Sequence, residues 1–282
     1  MTGRLFVVAT PIGNLSDVTL RAIEVLREVP LIAAEDTRLT HRLLARHGIS
    51  TRMISYHARS TPGRLEELLV HLRGGADLAL VTDAGTPSVS DPGEDLVAAW
   101  GREGGTVVPI PGASAVMAVV AATGVAGPRW AFEGFLPRSG RDRRERLARI
   151  AADDRGTVIY EAPGRVAATL VDLAGACGSE RPGAIGRELT KLHEEIVRGT
   201  LGELADRARS GELTLRGEFA LVVGAQPERS TLDVARDTDP AAALADVERL
   251  VAAGTPRGEA ARQVSAATGI PRRKLYAAPP GR

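Results

Sequence analysis

The residues from Val81 to Gly93 carry groups that could bind a small polar ligand. They read Val-Thr-Asp-Ala-Gly-Thr-Pro-Ser-Val-Ser-Asp-Pro-Gly and continue an apolar run that starts at Leu78. A strand that runs into small, hydroxylated, Gly- and Pro-rich residues exposes backbone donors and acceptors at its carboxyl end, where open α/β sheets usually hold ligands. Asp83 could accept a hydrogen bond from a ligand amine or hydroxyl, or it could pin the turn. The sequence therefore predicts a ligand site here.

Lysine is nearly absent from the chain. Of 36 basic residues, only Lys191 and Lys274 are lysine. A lysine kept in such a chain can reflect a need for a head group that is smaller or more easily deprotonated than guanidinium, although chance explains it equally well. Lys191 is therefore a first candidate for proton chemistry.

The elements that would position these residues alternate between apolar runs and helical patterns. Helices covering a largely parallel sheet are the usual result of such alternation. In the first part of the chain, we expect a helix that begins after an N-cap at Ser16 or Asp17 and ends before Pro30. The other elements predicted there are strands at 5–9, 31–34, 78–81 and 107–110, and helices through 43–44, 65–72 and 93–103.

A second α/β unit and a helical tail follow. The second unit has predicted strands at 130–136, 157–160, 183–187 and 218–223, with helices at 140–152, 164–175 and near 201–210. In the tail, helices are predicted at 241–253, 257–267 and 272–277. Short helices separated by Gly- and Pro-containing turns resemble a helix-turn-helix.

Composition restricts the class of protein. The chain has 282 residues, 44% of them hydrophobic, but no run approaches the roughly 20 apolar residues needed to span a bilayer. The first residues do not read as a secretion signal, so we expect a cytoplasmic protein without a membrane partner. Cys177 is the only cysteine, which excludes an intrachain disulfide, and the five histidines show no paired metal-ligand spacing. The sequence predicts no metal site.

Positive charge is concentrated in two segments although the net charge is only +1. Residues 138–155 hold seven arginines against four acids, and residues 236–282 hold eight basic residues against five acids. Each segment is a candidate phosphate contact, and each could equally be a solvated helix face.

Six motifs occur in the order typical of one family. Together they resemble the ribosomal RNA small subunit methyltransferase I family of the tetrapyrrole methylase superfamily, over roughly residues 4–225. They are Phe6–Leu15, Ala34–Arg38, Asp83–Pro87, Pro111–Ala115, Glu161–Pro163 and Arg187–Lys191.

The resemblance implies a fold, a cofactor and a reaction. It implies two α/β domains, at 1–111 and 112–226, with S-adenosylmethionine in the cleft between them, and a small helical domain at 236–282 that could contact RNA. The implied reaction methylates the ribose 2′-oxygen of a cytidine in the decoding region of 16S ribosomal RNA, within the small ribosomal subunit. A homodimer is also implied.

The family motifs also suggest which residues hold the cofactor. At Gly85-Thr86-Pro87 the superfamily pattern is Gly-Asp-Pro, so threonine replaces a carboxylate here. The helix amides that follow Ser114 could bind an anionic group such as the methionine carboxylate. The expected cofactor-binding residues are Pro11, Ile12, Gly13, Asp83, Gly85, Thr86, Val89, Ser114, Ala115, Tyr160, Glu161 and Pro163.

The implied chemistry requires alignment of a ribose hydroxyl and removal or dispersal of its proton. Lys191 with Glu188, and Asp36 with Arg38, are the expected catalytic pairs. A lysine with a lowered pKa, or a carboxylate within reach, could act as the base or orient the hydroxyl. An ordinary surface ion pair is the alternative for Lys191 and Glu188.

Two other functions stay open on the sequence alone. A tetrapyrrole C-methyltransferase would share the cofactor cleft, but superfamily members with such substrates usually carry a Gly-rich run ending in Asp where this chain has Pro11 to Asn14. A non-enzymatic nucleic-acid-binding regulator would use the helical tail, but it would not need the large two-unit body.

Overall fold

The computed structural model describes residues 2–226 and 240–276. The chain divides into two compact units, Met1–Ala225 and Gln226–Arg282. The predicted domain bounds at 111, 112 and 226 stay predictions. Within the described residues, no helix is both long and apolar enough to cross a membrane.

The first half of unit 1–225 contains a five-stranded sheet in which every strand pairs in parallel, in the order β3-β2-β4-β1-β5. β2 and β4 are buried at every residue, which explains their continuous apolar sequences. The strands are β1 (Arg4–Val8), β2 (Leu31–Ala34), β3 (Met53–Ser55), β4 (Leu78–Val81) and β5 (Thr106–Ile110).

Helices cover both faces of this sheet. Leu26 and Leu44 pack with the strand side chains of one face, whereas Leu68 and Trp100 pack with those of the other. Such two-sided burial confirms the α/β prediction for this part of the chain. The helices are α1 (Leu20–Glu28), α2 (Thr37–Arg46), α3 (Pro62–Arg73) and α4 (Glu94–Arg102).

The predicted start of the first helix is wrong. Thr19, rather than Ser16 or Asp17, is the N-cap of α1, and its hydroxyl accepts a hydrogen bond from the amide of Ala22 at 3.1 Å. Residues Leu15–Asp17 form a single 3₁₀ turn that Asn14 caps. Extended backbone at the two residues before α1 separates the turn from the helix.

The second sheet has the order β6-β7-β10-β8-β9 and is mixed. β6 and β7 pair in parallel, but β10 enters between β7 and β8 antiparallel to both, and β8 pairs antiparallel with β9. Its strands are β6 (Trp130–Phe135), β7 (Gly156–Glu161), β8 (Pro182–Arg187), β9 (Glu195–Thr200) and β10 (Phe219–Val223).

Helices also cover both faces of the second sheet. Leu147, Leu170 and Leu204 belong to the core on one side, and Val116 and Val119 belong to the core on the other. The helices are α5 (Ala115–Thr123), α6 (Gly140–Ala152), α7 (Val166–Cys177) and α8 (Leu201–Ser210).

The described part of unit 226–282 is a group of three helices around a small apolar core. The core includes Val247, Val264 and Leu275. The helices are α9 (Pro240–Ala252), α10 (Arg257–Thr268) and α11 (Arg272–Tyr276). They match the predicted tail helices to within a residue. Residues 236–239 and 277–282 of the predicted helical domain lie outside the described residues.

Candidate active site

A cavity of about 340 Å³ lies in unit 1–225, and its walls come from both sheets. This volume falls within the range of small-molecule sites, ~300–1,000 Å³. Loops at the carboxyl ends of β1, β4 and β5 meet residues of β7, β8 and β10 around it. The walls consist of Ile12, Ala84, Gly85, Thr86, Val89, Ser90, Asp91, Ser114, Ala115, Phe135, Tyr160, Glu161, Ala162, Pro163, Gly186, Leu189, Gly217, Glu218, Phe219 and Ala220.

The loop after β4 is fastened to the end of β1. The amide of Thr10 donates to the carbonyl of Gly85 at 2.8 Å, and the amide of Gly85 donates back to Thr10 at 3.1 Å. Gly85 has a φ of +83° in this bridge, a conformation in which glycine meets no steric penalty. Ser88 and Ser90 in the same loop also have positive φ, 69° and 63°. The bridge places the predicted ligand loop against the cavity.

The first residues of α5 form another wall. Ser114 is the N-cap of this helix, and Ala115 is its first residue. The hydroxyl of Ser114 lies 3.5 Å from the amide of Met117, at the outer limit of a hydrogen bond. Because the first amides of a helix have no partner within it, a negatively charged group bound here would be stabilised.

Aromatic rings form a third wall. The ring of Tyr160 lies 4.9 Å from that of Phe132 in an edge-on arrangement and 5.7 Å from that of Phe135. Burial raises the pKa of Tyr160 to about 12, so its hydroxyl is neutral at physiological pH. This wall is therefore uncharged and suits a flat, apolar part of a ligand.

Glu161 lines the cavity, but its carboxylate bonds within the protein. One oxygen accepts hydrogen bonds from Nε of Arg165 at 2.6 Å and from the amide of Ala162 at 2.8 Å. The other accepts from the hydroxyl of Thr169 at 2.7 Å. The side chain of Glu161 is fully buried, whereas that of Arg165 is 26% exposed. These bonds fix the position of the wall formed by Glu161 and Ala162.

Lys191 is held by two carboxylates. Its Nζ lies 2.9 Å from Glu188 and 3.0 Å from Glu218, a residue of the cavity wall. Burial lowers the pKa of Lys191, but the hydrogen bonds and charges of Glu188 and Glu218 raise it by more, so the net change is upward. Of the two alternatives that the sequence left open, a lysine with a lowered pKa is therefore wrong for Lys191. Lys191 is a cation at neutral pH.

Gly13 explains how Lys191 approaches the loop after β1. A Cβ atom at Gly13 would lie only 2.4 Å from Cγ of Lys191 and 2.9 Å from the hydroxyl of Thr190. The same hydroxyl accepts a hydrogen bond from the amide of Asn14 at 3.1 Å. Glycine at position 13 therefore makes room for the lysine stem.

Asp36 and Arg38 pair with each other at the start of α2. Their side chains lie 2.6 Å apart, and Asp36 also accepts from the backbone amide of Arg38 as the N-cap of the helix. The hydrogen bonds from Arg38 lower the pKa of Asp36 to about 2. Since so weak a base takes up almost no proton at neutral pH, the lowered pKa does not favour Asp36 as a proton acceptor.

Asp83 pins the loops after β2 and β4 together. Its carboxylate accepts from the amide of Asp36 at 2.9 Å, and its own amide donates to the carboxylate of Glu35 at 3.2 Å. This is the turn-pinning role that the sequence left open. Asp83 is not among the cavity walls.

Nine of the twelve expected cofactor-binding residues line the cavity, and Pro11, Gly13 and Asp83 do not. None of the four expected catalytic residues, Lys191, Glu188, Asp36 and Arg38, belongs to its walls. Sequence reasoning missed Asp91, although this carboxylate stands within the motif 81–93. It also missed further wall residues, namely Ala84, Ser90, Phe135, Ala162, Gly186, Leu189, Gly217, Glu218, Phe219 and Ala220.

One arginine of the basic segment 138–155 cannot contact a phosphate. Arg143 is only 9% exposed, and its guanidinium bonds Asp172, Thr169 and the carbonyl of Pro137. Its inclusion among the candidate phosphate contacts is wrong, because the side chain fastens α6 to α7.

The other arginines of this segment differ in their partners. Arg141, Arg146 and Arg155 form ion pairs with nearby acids. Within the described part of the chain, three exposed arginines of the segment have no ion-pair partner: Arg138, Arg144 and Arg149. In the tail, Arg272, Arg273 and Lys274 are exposed as well.

Proteins similar to this chain are methyltransferases. The family described as Tetrapyrrole (Corrin/Porphyrin) Methylases matches residues 4–205. The chain is 47% identical to "Ribosomal RNA small subunit methyltransferase I" of Synechocystis sp., over 97% of this chain and 96% of that protein. It is 37% identical to the protein of the same name in Bacillus subtilis, over 97% of this chain and 93% of that protein.

Solved structures share the fold at low sequence identity. A cobalt precorrin-4 methyltransferase is 18% identical with a TM-score of 0.61, over 78% of this chain and 94% of that chain. A uroporphyrin-III C-methyl transferase from Thermus thermophilus, complexed with S-adenyl homocysteine, is 21% identical with a TM-score of 0.57, over 79% and 97%. The family match and the full-length relatives together show that this chain belongs to the tetrapyrrole methylase family, among the ribosomal RNA small subunit methyltransferase I proteins.

Proposed function

We propose that this protein transfers a methyl group from S-adenosylmethionine to the ribose 2′-oxygen of a cytidine in the decoding region of 16S ribosomal RNA, within the small ribosomal subunit. The observation that carries the proposal is its relationship to proteins named for small-subunit ribosomal RNA methylation, at 37% to 47% identity over nearly the whole chain. The cavity and the cation beside it support this function.

The cavity fits the cofactor, and we assign it as the cofactor site. The amides that follow Ser114 suit the methionine carboxylate, and Phe135 and Tyr160 suit the flat adenine. When bound, S-adenosylmethionine supplies a methyl group on a positively charged sulfur. Ile12, Val89 and Leu189 are apolar wall residues that would keep water away from this group.

Lys191 is the residue that we assign to the ribose hydroxyl. Because it carries its proton at neutral pH, it would donate a hydrogen bond to the 2′-oxygen and disperse the negative charge that develops there. Glu188 and Glu218 would hold the ammonium group in place. Lys191 thus orients the nucleophile, and the hydroxyl proton passes to solvent water, which reaches the partly exposed lysine, as the oxygen is methylated.

Exposed arginines would bind the RNA backbone. Arg138, Arg144 and Arg149 are free to contact phosphates, and Arg272, Arg273 and Lys274 add a second basic group in the tail. Phosphate contacts supply affinity and position rather than sequence reading. Since only 3% of the residues are aromatic, recognition of RNA shape is favoured over extensive base stacking.

A comparison of cells with and without the protein tests the reaction. Mass-spectrometric mapping of small-subunit ribosomal RNA should find one cytidine 2′-O-methyl group that disappears in cells without the protein and returns with the wild-type chain. An unchanged methylation pattern would refute the proposal. Purified protein incubated with labelled cofactor and either RNA or a tetrapyrrole separates this function from tetrapyrrole C-methylation.

The assembly and its location are part of the same proposal. We expect a homodimer that acts in the cytoplasm, where its ribosomal substrate is. Light scattering coupled to size-exclusion chromatography measures the mass directly, and the mass of one 29.6 kDa chain would contradict the dimer.

A further inference from the structure

Asp91 differs from the other two acids of the cavity wall. Glu161 forms an ion pair with Arg165, and Glu218 forms one with Lys191. Within residues 2–226 and 240–276, Asp91 forms no ion pair with any lysine or arginine. Its carboxylate accepts a hydrogen bond from the hydroxyl of Thr82 at 3.4 Å. The cavity therefore contains one carboxylate whose charge the described residues leave uncompensated.

We propose that the carboxylate of Asp91 recognises a positive charge of the methyl donor, either the sulfonium or the α-ammonium group, and makes the cavity selective for a cationic ligand. This inference rests on the proposed function, because it takes the cavity as the cofactor site. A carboxylate without an ion-pair partner, in the wall of a cavity, is stabilised when a cation enters.

The surroundings of Asp91 strengthen its preference for a cation. Burial raises the pKa of Asp91 to about 6, and the negative charges of Glu35 and Asp83 add to the increase. Tyr160, on the second sheet, lies close enough to Asp91 that the negative charge of Asp91 contributes to the raised pKa of Tyr160. The two charged groups that raise the pKa of Asp91, Glu35 and Asp83, are thus both acids. A bound cation would relieve this repulsion, whereas a neutral ligand would not.

Three ligands distinguish the two possible sources of positive charge. S-Adenosylmethionine carries the sulfonium and the ammonium group, S-adenosylhomocysteine carries only the ammonium group, and 5′-methylthioadenosine carries neither. Isothermal titration calorimetry of full-length Asp91→Asn should show S-adenosylmethionine binding weakened by about tenfold or more, as expected for the loss of one charge-assisted contact. Methylthioadenosine should bind the variant and the wild type equally.

The homocysteine product then identifies the group. If Asp91 faces the sulfonium, Asp91→Asn should bind S-adenosylhomocysteine as tightly as the wild type does. If Asp91 faces the ammonium group, the affinity for S-adenosylhomocysteine should fall as much as the affinity for S-adenosylmethionine. Glu94→Gln is the matched control, because it removes an exposed carboxylate three residues away. It should bind all three ligands as the wild type does.

Two results would overturn the inference. One is an affinity of Asp91→Asn for S-adenosylmethionine within twofold of wild type, and the other is an equal loss for methylthioadenosine, which would indicate a damaged cavity. If the wild-type chain itself binds no S-adenosylmethionine, the proposed function fails first. The two failures are therefore distinguishable.

The pH dependence supplies a second readout. As pH falls through about 6, Asp91 takes up a proton and loses its charge, so wild-type affinity for S-adenosylmethionine should fall. Binding at pH 6 should release protons, which calorimetry in buffers of different ionisation enthalpy measures. Glu35 and Asp83 also have raised pKa values, so Asp91→Asn is needed for the assignment. A release equal in variant and wild type would refute the role of Asp91.

Discussion

Replacing Glu161 with glutamine should destabilise unit 1–225 without altering the shape of the side chain. The buried carboxylate accepts hydrogen bonds from Arg165, Ala162 and Thr169. An amide keeps one acceptor oxygen but presents a donor where the second oxygen was. At least one of the three donors then loses its partner, and the charge opposite Arg165 disappears.

The size of the effect follows from burial. Removing one partner of a buried ion pair costs about 3–5 kcal/mol, but water can rehydrate a guanidinium that is 26% exposed. Hydrogen bonds to charged groups contribute about 1.5–3 kcal/mol. We therefore expect Glu161→Gln to lower the free energy of unfolding by about 2–3 kcal/mol. For a unit of this size, the melting temperature should fall by about 4–12 °C.

Urea titration followed by tryptophan fluorescence measures this loss. Both tryptophans of the chain, Trp100 and Trp130, lie in the same unit as Glu161. Glu145→Gln is the control, because it breaks an exposed pair with Arg141 and should cost less than about 0.5 kcal/mol. A loss for Glu161→Gln as small as that of the control would refute the reasoning.

Three further predictions concern the reaction and the RNA. Lys191→Met should lower the single-turnover methylation rate by roughly 10²–10³ with unchanged RNA affinity, as expected for the loss of one donor that stabilises developing charge; a wild-type rate would remove Lys191 from the mechanism. Deletion of residues 236–282 should weaken RNA binding and flatten its salt dependence but leave cofactor binding intact; filter binding at several salt concentrations tests this, and unchanged RNA affinity across salt would contradict it. Joint replacement of Arg138, Arg144 and Arg149 by alanine should reduce the slope of log affinity against log salt by about 2, since each phosphate contact contributes about 0.7 with single strands. Arg209→Ala, at an arginine already paired with Asp206, should leave that slope unchanged, and equal slopes for both variants would refute the contact.

The parallel sheet could be predicted from the sequence because burial on both faces leaves a local signal. β2 and β4 are short, continuous apolar runs, and each ends in polar residues. The antiparallel entry of β10 could not be predicted in the same way. Its neighbours β7 and β8 precede it by more than 30 residues, so the pairing depends on tertiary contacts that no local pattern records.

The site was predictable where backbone and small residues form it. Gly85, Thr86 and Ser114 lie in motifs at strand ends, and the structure places all three in the cavity wall. Charge was harder to predict. The raised pKa of Lys191 depends on Glu188, which the motif supplies, but also on Glu218, which is 27 residues away in sequence. The raised pKa of Asp91 depends on burial and on acids from other loops.

Among residues 2–226 and 240–276, four residues other than glycine have positive φ, and they occupy two loops beside the cavity. Ser88 and Ser90 belong to one loop, and Glu188 and Thr190 to the other. Each such residue costs about 1–3 kcal/mol, which the rest of the fold must offset. The free-energy cost of ordering these loops is therefore incurred when the protein folds and not when the ligand binds. An incoming molecule meets loops that are already arranged, and little of its binding energy goes into ordering them.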